Sequence, residues 1–270
     1  MKTQLTLFNQ LKQKVCFLYD KLRLSTFEKK TGRKLALPIV DTLTAALFKQ
    51  TANVATKKRV YDILEPPCSY KTLVVNMNRC FSLALIIFRL LLKVNRRKQH
   101  LVKHTDTTDI PVCLNKNAGH HKTMSSCATW YHNGKGYYYG LKLHLTADLN
   151  RSVLAVKFTT ANADDRKVCI PLNDGLLGLF VADSGYISEE LERDFYIEGK
   201  RYILIKPKKS QKKLATAFDT FIYGTRMLIE INFRNLKMFY GLLTSLPRSV
   251  GGYIAIYLQP AGVSTSVVSL

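Results

Sequence analysis

At the basic cluster NRRKQH, residues 95–100, the apolar residues of this chain stop recurring every three or four positions and begin to alternate. Before it, DTLTAALFKQTANVATKKRVYDIL carries apolar side chains at helical spacings, EPPCS at 65–69 interrupts the pattern, and FSLALIIFRLLL at 81–92 continues as a long apolar helix. Beyond it, HLVKHTDTTDIPVC holds a short strand ending near Pro111. GYYYGLKLHLTADLN then alternates strictly, which predicts one face made of Tyr137, Tyr139, Leu141, Leu143 and Leu145. A chain with two periods folds in two manners, and the expected division is a helical part over 1–98, an α/β part over 99–250 and a Ser/Val-rich tail over 251–270.

Within the α/β part, SVLAVKFTTA reads as a strand paired with its predecessor through the DLNR turn, and a helix starts after Asn162 or Asp164. LGLFVAD is short and wholly apolar, as strands buried on both faces are. SEELERDFYIEG is a helix, RYILIKP a strand, and Thr220 to Tyr240 a closing helix, so the elements build an α/β layer with a mixed sheet. The run FSLALIIFRLLL, with Arg89 inside it, falls short of the ~20 residues that cross a membrane.

Forty-one Lys and Arg against nineteen Asp and Glu leave a net charge of +22 on 270 residues, more than solubility requires. Such an excess suits a polyanion, and nucleic acid is the first candidate. Residues 1–103 carry most of it, with 21 basic and 5 acidic side chains. The six cysteines form no Cys-x-x-Cys pair and the first residues carry no signal-peptide core, which points to a reducing cytosol. Cys113, His120, His121 and Cys127 match no usual zinc spacing.

Chemistry is to be sought among the acidic groups of the later part. Asp106 lies within the first strand, Asp183 follows the buried strand LFVA, where open α/β sheets place ligand-binding residues, and Glu230 lies on the closing helix. Converging carboxylates repel unless a cation neutralises them or one stays protonated. An all-oxygen set selects a hard divalent ion such as Mg²⁺. Asp109 competes with Asp106, but a separation of three along a strand aims the two at opposite faces; Asp106 is preferred for its distance to Pro111 and Cys113. In YGTRMLIEINFRNLK, residues 223–237, a continuous helix places Tyr223, Arg226, Glu230 and Lys237 within an arc of roughly 60°. Trp130 and Tyr131 have the rings to stack on an unpaired base, or to be buried in a core.

Tyr223, Arg226, Glu230 and Lys237 match every spacing of a Tyr-x2-Arg-x3-Glu-x6-Lys signature, while DTTDIPVC at 106–113 and VADSGY at 181–186 resemble two aspartate segments that accompany it. On these residues the chain resembles the DDE transposases of bacterial insertion sequences, in detail over residues 101 to about 250. The resemblance implies a ribonuclease-H-like mixed sheet preceded by an α-helical, DNA-binding N-terminal domain. It implies cleavage of element ends and strand transfer, with Asp106, Asp183 and Glu230 catalytic and holding two Mg²⁺ ions, for which Mn²⁺ substitutes. Tyr223, Arg226, Lys237 and Arg166, the last in NADDRK, are the implied DNA contacts. The implied partners are double-stranded terminal repeats and target DNA, bound by a homodimer in a bacterial cytoplasm, associated with the nucleoid and not with a membrane. The tail departs from the family, which closes with another apolar helix, so the alternative reading is an inactive copy that only binds end DNA. A structure-specific nuclease on the same fold is a third.

Overall fold

The computed structural model describes residues 2–28, 31, 35–98, 100–134, 136–207, 216–238, 242, 250 and 253. The tail expected over 251–270 lies outside the described residues except for Tyr253. Contacts divide the chain into two units, Met1–Leu91 with Leu236–Val267, and Leu92–Asn235 with Val268–Leu270.

In the first unit, α1 (Lys2–Lys21), α2 (Ile39–Thr51), α3 (Lys57–Leu64), α4 (Tyr70–Arg79) and the first part of α5 (Phe81–Arg97) follow the helical spacings of the sequence. Side chains start two of them: Thr56 accepts from the Arg59 amide at α3 and Ser69 from the Thr72 amide at α4, on either side of the Pro-Pro break. Two apolar clusters hold the helices together, one around Phe48, Val60, Leu73 and Met77, the other around Val15, Leu24, Leu43 and Ile87. The apolar run is thus a core helix, with Leu83, Ile87 and Phe88 buried. Among the described residues no single helix is long and apolar enough to cross a membrane, although the bent pair Tyr70–Arg79 and Ser82–Arg97 passes on length and composition together.

The described residues of the second unit build a six-stranded mixed sheet. Its strands are β1 (Val102–Pro111), β2 (Thr129–Asn133), β3 (Gly136–Asp148), β4 (Val153–Thr160), β5 (Gly178–Ala182) and β6 (Arg201–Ile205). The long β3 carries β2 and β4 end to end on one edge and β1 on the other, all antiparallel to it. Next to β1 come β5 and then β6, both parallel. Helices α6 (Asp165–Leu172) and α7 (Glu189–Phe195) lie between the later strands in the sequence, capped by Asp164 and Ser188. Val168, Leu172, Leu191 and Phe195 from these helices pack with Phe180 and Ala182 of β5. Phe180 and Ala182 therefore face α6 and α7, and the intervening Val181 faces the opposite side.

Strict alternation in β3 predicts one apolar and one polar face, yet every residue from Gly140 to Asp148 is buried. The polar face is covered because each of its groups has an internal partner. Lys142 Nζ donates to the Ala163 carbonyl at 3.0 Å and to Asp165 at 3.1 Å, His144 pairs with Thr159 at 2.8 Å, and Thr146 donates to Asn173 at 2.6 Å. Lys103 is as deeply buried at the start of β1, donating to the carbonyls of His100 and Leu177 beneath the Phe180 ring. The basic cluster also has structural partners, since Asn95 and Arg96 donate to the carbonyls of Val153 and Leu154 in β4.

Candidate active site

In the parallel pairing of β1 and β5, His104 stands opposite Val181. Two residues further along each chain, the same register sets Asp106 beside Asp183, which directly follows β5. Adjacent strands are about 4.8 Å apart, so two carboxylates there repel strongly without a cation. The guanidinium of Arg226 supplies it. Its Nη2 donates to Asp106 Oδ2 at 2.8 Å and lies 3.6 Å from Asp183 Oδ2, while Nη1 donates to Glu230 Oε1 at 2.9 Å.

The sequence-predicted closing helix is in fact two, α8 (Ala217–Gly224) and α9 (Met227–Met238), joined at Thr225 and Arg226; Phe239 and Tyr240 lie outside the described residues. The junction is wound tighter than an α-helix, with Arg226 N–H bonded to the Tyr223 carbonyl and Ile229 N–H to the Arg226 carbonyl, both at 3.1 Å. Gly224 weakens the helix there, and the Thr225 hydroxyl donates to the Ile222 carbonyl at 2.6 Å. Tyr223, before this junction, and Arg226, within it, take different partners. Tyr223 donates its phenol proton to the Ile205 carbonyl at 2.7 Å, at the end of β6, beside a hollow of about 370 Å³ lined by Lys206, Pro207 and Thr220. Arg226 and Glu230 remain neighbours across one turn. Lys237 occupies the last turn of α9, about 10 Å along the axis from Glu230.

Burial pushes the Asp106 carboxyl up to about 6, against the downward pull of Arg226 and of the Thr107 amide that donates to it. For Arg226, burial lowers the pKa, but the charges of Asp106 and Asp183 outweigh it and the net shift is upward. Among the described residues, the Nε of Arg226 is buried without a hydrogen-bond partner. Beneath this group lies His104, wholly buried and held down to about 4 by burial and by the Arg226 charge. Its Nε2 is 2.8 Å from the Thr225 hydroxyl. That hydroxyl has given its proton to Ile222, so neutral His104 carries its own proton on Nε2 and donates. His104 thus positions the turn that presents Arg226. It has a signal in the sequence, being two residues before Asp106 and so on the same face.

Asp109 points to the other face, as its odd separation from Asp106 requires, and accepts from Tyr138 Oη at 2.6 Å and Asn133 Nδ2 at 2.5 Å. Arg166 is not drawn to the three carboxylates; it forms a bidentate pair with Asp164 at the start of α6. Trp130 and Tyr131 part company, Trp130 outward and half exposed, Tyr131 inward under Lys142 Nζ.

Residues of this chemistry suit a hard divalent ion, three carboxylates from three separate elements with no sulfur or imidazole among them. In the arrangement observed, no three His, Cys, Asp or Glu side chains among the described residues converge closely enough to hold a metal ion, and the positive charge between the carboxylates is Arg226. The residues match the group in kind, and the guanidinium takes the ion's electrostatic part.

Residues 96–249, more than half of the chain, match the Transposase DDE domain. The chain belongs to the DDE transposase family. The matched span contains all six strands, the three carboxylates and the α8–α9 junction of this DDE domain. Among solved structures, a cryo-EM structure of a piggyBac transposase synaptic complex with hairpin DNA aligns over 99% of this chain and 73% of that chain, at 8% identity and a TM-score of 0.49. No curated protein matches the chain in sequence.

Proposed function

We propose that this transposase cuts DNA at the ends of a mobile element and joins the freed 3′ hydroxyl to target DNA, using Asp106, Asp183 and Glu230. The observation that supports it is the meeting of three carboxylates from β1, the end of β5 and α9 around one guanidinium. The strand order, with three antiparallel strands followed by two parallel ones on the far side of β1, supports a ribonuclease-H-like fold. Water attacks the phosphodiester at the element end and the 3′ oxygen leaves as a hydroxyl; that hydroxyl then attacks a target phosphodiester and the target strand's own 3′ oxygen leaves, so the number of ester bonds is conserved in the second step. Asp106, Asp183 and Glu230 would hold Mg²⁺ or Mn²⁺, which supplies Lewis-acid stabilisation of charge on the reacting phosphate. Asp106 stays protonated more readily than an ordinary carboxyl, and so tolerates two like charges nearby. Arg226 neutralises the carboxylates without DNA; released from them, it joins Lys237 in pairing with phosphate. Tyr223 keeps an acceptor lone pair for a DNA hydrogen bond while its proton is held by Ile205. The excess of basic residues in the first hundred supports a DNA-binding role for the N-terminal helices. A homodimer on paired ends is part of the same reading.

A second reading has specific support: a guanidinium closed on all three carboxylates also describes a structural ion-pair network in a copy that binds DNA without cutting it. The two part in one experiment. Duplexes taken from the DNA flanking the coding sequence are incubated with the purified chain, with Mg²⁺ or with a chelator, and strand scission is followed in single-turnover conditions. Metal-dependent scission, lost in Asp106→Asn, Asp183→Asn and Glu230→Gln with DNA binding retained, supports the enzyme. Binding without scission under every metal condition leaves the DNA-binding copy.

A further inference from the structure

The hairpin of β2 and β3 sorts its aromatic residues onto two faces. Tyr131 and Tyr138 turn inward, where Lys142 and Asp109 satisfy them. On the outer face Trp130 pairs with Tyr139 across the strands and His132 with Tyr137, their ring centroids 5.5 and 4.6 Å apart. His121, from the segment before β2, adds a fifth ring 6.3 Å from Tyr139. Trp130 is 48% exposed and Tyr137 67%, so these rings offer their area outward instead of filling a core.

Every outer ring carries a polar atom, and the aliphatic side chains on that face of β3, Leu141, Leu143 and Leu145, are buried further along the strand and leave the exposed area to the rings. No Asp or Glu occurs from Ile110 to Ala147, a span that includes Lys116 and Lys122, both exposed. Rings in a stretch of sequence that carries exposed lysines and no carboxylate fit nucleobases flanked by phosphates. The two ring pairs lie about 7 Å apart along the strands, twice the ~3.4 Å rise of stacked bases, so a strand must be unpaired and stretched to engage both. Tyr139 and Tyr137 also share the parity of Leu145, the partner of Asp106, and lie roughly 20 and 27 Å from it along the same face of β3.

We propose that the outer face of the β2–β3 hairpin is a stacking platform for an unpaired DNA strand. The binding stands apart from the carboxylate chemistry and does not require cleavage.

Trp130 is the single tryptophan of the chain, which makes its fluorescence a local reporter on a protein whose charge binds DNA in many places. The full chain is titrated with oligodeoxythymidine of about ten nucleotides, reading both tryptophan emission and the anisotropy of a labelled oligonucleotide. Saturable quenching is expected, with a duplex of equal length quenching far less. Tyr137→Ala and His132→Ala are expected to weaken the quenching isotherm by about tenfold each, and Tyr137→Phe to leave it unchanged. Should Tyr137→Ala melt earlier than the parent, Tyr137→Leu, which fills the site without an aromatic face, gives the same reading. Oligonucleotide binding seen by anisotropy with no change in tryptophan emission overturns the proposal. So does a Trp130→Ala variant that turns a dimer into a monomer with oligonucleotide affinity intact, which assigns the face to a second copy of the chain. A chain that never cuts DNA but shows the quenching would refute the cleavage reading alone.

Discussion

Arg226→Ala leaves Asp106 buried beside Asp183 with no cation between them. Asp183 and Glu230 are well exposed and lose little, whereas the Asp106 side chain is only 13% exposed. The expected loss is about 2–3 kcal/mol, below that of a fully buried pair because Asp106 can protonate. If the carboxylates accept a divalent ion, Mg²⁺ raises the melting temperature of Arg226→Ala more than that of the parent; equal shifts would count against metal binding here. Asp106 makes a separate prediction in pH. Its folded pKa is raised, so the stability it contributes is complete below about pH 4 and is lost as the pH rises through about 6. Asp106→Asn lacks this loss, and relative to the parent it is expected to gain on the order of 2–3 kcal/mol between about pH 4 and about pH 7. Denaturant melts at a series of pH values measure the slope, which a constant offset from altered hydrogen bonding does not mimic. His104 has the opposite sign, its stability being present above its ordinary value of 6.5 and lost as the pH falls through about 4. It is common to both proteins and cancels in the difference.

At the scale of elements, β1 and β3 set the site, because their pairing fixes which residues of β1 face α8 and α9. Gly140 sits opposite Pro111 at the far end of that pairing, and a Cβ added there would lie inside the van der Waals shell of the Ile110 carbonyl. The backbone cannot yield as a flexible side chain would. Gly140→Ala is therefore expected to destabilise the protein by about 1–3 kcal/mol and to loosen the β1–β3 amides first. Hydrogen exchange resolved by residue tests this: protection should fall near Ile110 and Leu141 before it falls in α2 or α4. Uniform loss of protection would show that Gly140 has no special bearing on the pairing. The α8–α9 junction matters for the same reason, since one tightened turn separates the hydrogen-bonding direction of Tyr223 from that of Arg226.

For the whole molecule, a net charge of +22 predicts DNA binding dominated by phosphate neutralisation. With about six to ten phosphates contacted, affinity for a duplex is expected to fall by about 10³–10⁵ between about 50 and 200 mM salt. Equilibrium binding across a salt series measures it, and a shallow slope would remove the argument from charge. The sequence by itself determined the change from helical spacing to strands after residues 95–100, five of the six described strands, a helix start that falls at the second of its two candidates, Asp164, and the opposite directions of Asp106 and Asp109. These are local consequences of side-chain period and capping, which need no distant partner. The strand β2 carried no signal strong enough to single it out. Tertiary structure decided what periodicity cannot express. Both faces of β3 are buried because Asp165, Thr159 and Asn173 reach its polar side chains from other elements. The closing helix breaks at the junction where Thr225 accepts from His104, a residue 121 positions away. Arg226, which on a helical wheel is one cation in a polar stripe, becomes the counter-ion of three carboxylates only when the β1–β5 register sets two of them side by side. Charge interactions depend on distance through space, and only the folded chain sets those distances.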